Sequence, residues 1–154
     1  MNLTSLHFSL LLATFAVVFI AILMLLGHIS DAVGRVKPAL AGLALSCAGV
    51  VNLPLTGTWP FMIGSMALFG AGYGLFFPAL SAMVADGSSP DEYGRASGLY
   101  HALLTVGVSV GAPVMGWVAG SVGTAPALSL AAVPLLGAVG LALHRLSYES
   151  PERT

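Results

Sequence analysis

The chain has 154 residues, 57% of them hydrophobic and only 7% charged, with a formal net charge of −1. So few charged side chains cannot coat a water-soluble globule of this length, and 5 Lys and Arg in all leave no basic patch for nucleic acid. An integral membrane protein is implied, because no Asp, Glu, Lys or Arg occurs in residues 1–30, 38–85 or 96–144, and each window holds one or two spans of about 20 residues.

Turn and breaker signals divide these windows into five helices, so the expected fold class is an all-α, polytopic bundle of five transmembrane helices. The first runs from about 6 to 26 and ends at Gly27. The second covers about 38 to 54 and closes at Pro54. In the link that follows, Thr58 is placed to cap the third helix, about 60 to 85, with Pro60 near its first turn. Asp86 to Tyr93 is a polar link in which Ser89 and Asp91 are the candidate caps of the fourth helix, about 94 to 120. Residues 121–126 turn the chain into the fifth helix, about 126 to 146, and 147–154 form a polar tail expected to stay disordered. The first segment is a span and not a secretory signal, since it lacks a basic n-region and a cleavage site. Asn2-Leu3-Thr4 fits a glycosylation acceptor, a pattern too common to carry weight.

With five helices the links alternate sides, and Arg35, Lys37, Arg95, Arg145 and Arg153 all fall on one of them. The positive-inside rule makes that side cytoplasmic, with the N-terminus outside and the C-terminus inside. All six acids share it: Asp31, Asp86, Asp91, Glu92, Glu149 and Glu152. Trp59 and Trp117 sit near the opposite ends of their helices, where interfacial anchors belong.

The first link reads Gly27-His28-Ile29-Ser30-Asp31-Ala32-Val33-Gly34-Arg35. It resembles the G-x-x-x-D-x-x-G-R signature loop of the major facilitator superfamily of secondary transporters. Ala32 stands where the family often has a basic residue, and Lys37 lies one place beyond the usual second one. That family is built from two six-helix halves, each with the loop between its second and third helices. Here the loop follows one span, so the resemblance implies one half without its first helix. First halves usually carry an Arg on the fourth helix where this chain has Ala67, which favours the C-terminal half, helices eight to twelve. Against it, Gly98, Gly107, Gly111, Pro113 and Gly116 approach the glycine-proline motif of antiporter-type first halves, although Ala112 breaks the Gly-Pro dipeptide.

Gly70 with Gly74, Gly107 with Gly111, and Gly116 with Gly120 are small-x-x-x-small pairs. They let helix backbones approach closely where lipid supplies no hydrophobic drive, so close packing is their expected use. Pro78 and Pro113 fall in mid-span, where each removes a backbone hydrogen bond.

The resemblance gives Gly27, Asp31, Gly34 and Arg35 a gating role, with Asp31 facing the start of the fourth helix near Arg95. There the helix dipole and the guanidinium both favour a carboxylate. Asp86 and Arg95 flank the second charged link and form a candidate parallel pair; the alternative is a solvated anchor that only fixes topology. His101, about two turns into the fourth helix, is either a proton-coupling or substrate-bonding group or a neutral His held by Tyr100, a carbonyl or water. Tyr73, Asn52 and Ser109 are further candidate cavity residues.

Nothing suggests an enzyme, a metal site or a cofactor. Cys47 stands alone in an apolar span and reads as a packing residue. Two functions remain. The favoured one is alternating-access transport of a small solute across the plasma membrane, proton-coupled, by a partial chain. The other is a non-transporting membrane module or relic of the same fold, inactive alone. The expected partners are the lipid bilayer, a small-molecule substrate, and either a separate N-terminal half or a second copy of the chain.

Overall fold

The computed structural model describes residues 5–27, 33–55 and 58–149, the side chains of 142, 143 and 145–149 excepted. Five α-helices account for nearly all of them: α1 (Ser5–Leu26), α2 (Val36–Leu55), α3 (Trp59–Asp86), α4 (Tyr93–Val122) and α5 (Thr124–Glu149). All five contain stretches long and apolar enough to cross a membrane.

Local chemistry explains where the elements differ from expectation. Helix α2 absorbs Pro54 in its last turn and ends at Leu55. Thr58 does precede α3, yet its side chain makes no capping bond; the start rests on Pro60 in the first turn. Neither Ser89 nor Asp91 caps α4, whose N-cap is Glu92. Instead the Ser89 carbonyl accepts the Glu92 and Tyr93 N–H groups at 3.0 and 2.9 Å, and Ser89 Oγ donates to Glu92 Oε2 at 2.7 Å. The turn expected over 121–126 shrinks to Gly123, whose φ of 93° lies in a region that other residues avoid. Pro126 then falls in the first turn of α5, where a missing N–H costs nothing. At its far end α5 continues to Glu149, taking up the first three residues of the expected tail; 150–154 lie outside the described residues.

Helix α3 is the centre of the bundle, in contact with α2 most extensively, then with α1, and least with α4, while α5 packs on α2 and α4. Its two main contacts are built on glycine. A Cβ on Gly70 would meet the Phe15 carbonyl oxygen at 2.6 Å, and one on Gly74 would meet the Ile22 side chain at 2.9 Å, so these two hold α1 close. Gly72 faces the other way, against the Ser46 backbone and hydroxyl and the Gly42 carbonyl of α2. Gly42 and Gly49 return the contact: a Cβ on either would lie 2.6 Å from backbone nitrogens of α3, those of Phe76 and Phe69. Ser46 Oγ is buried at this crossing with no hydrogen bond, and Cys47 is a buried free thiol beside it, as a packing residue should be.

The same chemistry on α4 goes unused within the chain. No residue of α4 is buried. Gly107, Gly111, Gly116 and Gly120 have nothing from another helix within 4 Å of a Cβ, and Pro113 is exposed. These residues therefore meet no helix among the described residues: the stripe is present, but α4 turns it away from α3 and α5.

Filling the two stripes separates these cases. Gly72→Leu should lower the stability of the detergent-purified chain by about 3 kcal/mol through overpacking, whereas Gly107→Leu should leave it within about 0.5 kcal/mol. Thermal melting of both variants is the check; equal losses would mean that α4 is packed in this chain as tightly as α3.

Candidate functional site

The charged end of the bundle gathers the C-terminus of α1, the N-terminus of α2, the C-terminus of α3 and the N-terminus of α4. Gly27 closes α1 with its N–H on the Leu23 carbonyl at 3.0 Å. A Cβ there would collide with that same carbonyl. Gly34 has φ of 89°, the left-handed region in which a side chain is strained, and this swings the chain into Arg35. The Arg35 carbonyl accepts the Ala39 N–H at 3.3 Å, tying its backbone to the first turn of α2. Both glycines of the loop thus answer to backbone geometry.

Arg35 Nε donates to Asp86 Oδ2 at 2.8 Å, with the two side chains 27% and 57% exposed. Asp86 is the last residue of α3, where the negative end of the helix dipole disfavours a carboxylate. The guanidinium offsets both charges at once. Asp86 is therefore engaged by Arg35 and not by Arg95, the partner expected from their shared link. Arg95 lies exposed in the first turn of α4, beside a shallow depression of about 300 Å³ that it lines with Ser88 and Glu92. Among the described residues it makes no ion pair. Asp31, the acid of the loop, lies outside the described residues.

The four intramembrane candidates, Asn52, Tyr73, His101 and Ser109, stand on three helices, the last two sharing α4, and no hydrogen bond or ring contact joins them among the described residues. Asn52, near the far end of α2, donates from Nδ2 to the Ala48 carbonyl of its own helix at 2.8 Å. His101 is exposed on α4, its ring 5.2 Å from that of Tyr100, and its carbonyl accepts the Thr105 hydroxyl at 2.9 Å. Tyr73 belongs to a ladder of five rings along the α1–α3 contact. Its centroid is 5.6 Å from Phe19 and 5.9 Å from Phe77, and Phe15 lies 5.0 Å from Phe69. Phe15 with Phe19, and Phe69, Tyr73 and Phe77, repeat every fourth residue, a spacing that places rings on one helix face. Tyr73, a candidate cavity residue from the sequence, stands here among packed rings, and the ladder that holds it follows from that spacing. At the uncharged end, the rings of His7 and Trp59 meet edge-on at 4.6 Å and join α1 to α3. No group of His, Cys, Asp and Glu among the described residues is arranged to hold a metal.

The whole chain, residues 1–154, matches the sequence profile of the Major Facilitator Superfamily. The chain belongs to the major facilitator superfamily. An uncharacterized MFS-type transporter of Burkholderia mallei is 30% identical over 142 residues, 92% of this chain and 34% of that protein. One from Burkholderia pseudomallei matches to the same extent. Magnetosome protein MamH of Paramagnetospirillum magneticum is 31% identical over 122 residues, 73% of this chain and 28% of its own length. The chain spans about a third of the curated relatives it matches. No solved structure matches it. Membership makes this an integral, multi-pass membrane protein of a transporter family, and the loop from Gly27 to Arg35 lies in the segment that the profile covers.

A double-mutant cycle measures the ion pair that defines this site. Arg35→Gln and Asp86→Asn should each destabilise the chain, with a coupling of about 0.5–1 kcal/mol, as for partly exposed pairs. Thermal melting in low salt checks it, and additive losses would mean that the contact carries no energy.

Proposed function

We propose that the chain is the part of a secondary transporter corresponding to helices eight to twelve, and that it moves a small solute by alternating access together with helices it does not itself contain. The observation that carries this reading is the Arg35–Asp86 pair: the signature-loop arginine reaches the end of α3 and clamps the charged end of the bundle. Opening that end requires Arg35 to part from α3, so the pair, together with Asp31 of the same signature loop, sets the balance between the two access states. The open glycine-proline face of α4 supports the same reading, because it is shaped for a helix that this chain does not place there.

On this reading the charged end is cytoplasmic, the N-terminus lies outside and the protein resides in the plasma membrane. His101 takes up and releases the coupling proton from its exposed position on α4, since no Asp, Glu, Lys or Arg lies at its depth among the described residues. Transport by the five helices alone is not expected, because solute pathways in this family run between two halves.

Orientation is read by labelling. With Cys47 replaced by Ser, a cysteine at Ser89 should react with an impermeant maleimide only from the cytoplasmic side, and one at Thr124 only from outside; the reverse pattern would invert the topology. Function is read by flux in the full-length context. Asp31→Asn should reduce flux about tenfold or more with insertion unchanged, equivalent to about 1.4 kcal/mol. Unchanged flux would remove its gating role. His101→Gln should flatten the pH dependence, and an unaltered profile would leave His101 as a packing residue.

A further inference from the structure

Beneath the Arg35–Asp86 pair lies a crevice of about 250 Å³ whose lining side chains are all apolar. Val36 and Leu43 of α2, Phe76, Leu80 and Met83 of α3, and Ala138 of α5 form its walls. Val36 and Met83 flank the mouth and are 43% and 40% exposed. From Val36 to Leu43 the crevice descends seven residues, a depth of about 10 Å at the helical rise. A crevice of about 250 Å³ over that depth takes a single polymethylene chain.

Charge at the mouth narrows the occupant. Lys37 adjoins Val36, is exposed, and forms no ion pair among the described residues. Arg35 and Asp86 face each other at 2.8 Å, so among the described residues Lys37 is the unpaired charge on α2 next to the mouth. Its position one residue before the helix enters the apolar span puts the ammonium at headgroup level. A basic residue so placed attracts an anionic headgroup with about 1 kcal/mol.

We propose that this crevice binds one acyl chain of an anionic phospholipid, from the leaflet at the charged end of the bundle, with the lipid phosphate on Lys37. The lipid then wedges α2, α3 and α5 together directly below the ion pair, and its binding does not depend on transport.

The purified 154-residue chain in dodecyl maltoside, titrated with dioleoyl-phosphatidylglycerol or dioleoyl-phosphatidylcholine, provides the test, read by native mass spectrometry and by thermal melting. Phosphatidylglycerol should be retained as a single tight equivalent and raise the melting temperature more than phosphatidylcholine. Lys37→Gln should weaken its binding about fivefold, the equivalent of about 1 kcal/mol, and bring the two lipids level. Ala138→Phe fills the crevice from an exposed position and should abolish the tight equivalent; Val36→Trp blocks the mouth without touching α5 and should do the same. Retention of phosphatidylglycerol by both blocked variants, in protein that still elutes as a folded species, would overturn the site. Equal binding of the two lipids by the unmodified chain would overturn the phosphate contact.

Discussion

Everything in this bundle depends on how closely α3 approaches its two neighbours. In lipid there is no hydrophobic reward for bringing apolar helices together, so association rests on dispersion contacts that fall away steeply with distance. Residues 70, 72 and 74 solve this on one helix turn. At about 100° per residue, Gly70 and Gly74 share a face and Gly72 points nearly opposite. The five-residue run Gly70-Ala71-Gly72-Tyr73-Gly74 therefore admits α1 on one side, over Phe15 and Ile22, and α2 on the other, over Gly42 and Ser46. A Cβ at any of the three would push one helix outward.

That arrangement dictates the charged end. Because α1 and α2 lie on opposite sides of α3, the start of α2 stands beside the end of α3, which is Asp86. Gly27 closes α1 against Leu23, and Gly34 leads into α2 with a positive φ. Arg35 is the side chain that follows Gly34, and it meets Asp86 across 51 residues of sequence.

How far the sequence revealed this differs by residue. The five spans were legible because charge-free windows of the right length admit few partitions. Gly70 and Gly74 were legible as a packing pair. The opposing stripe of Gly42, Ser46 and Gly49, spaced by four and three residues, went unread although it carries the same signal. Gly107, Gly111 and Gly116 have that signal too and meet nothing here, because spacing reports a capacity for close approach and says nothing of which partner fills it. The pairing of Asp86 was misjudged for a related reason. Arg95 shares its link, yet the Ser89 turn intervenes and carries α4 away, while Arg35 arrives from a link that neighbours it only in space. Sequence distance is a poor guide wherever three helix ends converge.

The energetics of that contact suit the role given to it. A carboxylate and a guanidinium at 2.8 Å, 57% and 27% exposed, hold each other weakly, with pairs of this kind contributing about 0–1 kcal/mol. A buried pair would carry several kcal/mol of desolvation, and separating it would leave uncompensated charges in a low dielectric. A clamp with the proposed gating role cannot be of that kind, since two states interconvert readily only when they differ by a few kcal/mol. Partial exposure solves the problem, because water replaces the partner as the charges part. The glycine crossings beneath differ in kind: α1, α2 and α3 approach there to backbone contact, and no charge has to part from another. A close-packed seam that ends in a weak, wet ion pair makes the Arg35–Asp86 contact the easiest place for this end to separate.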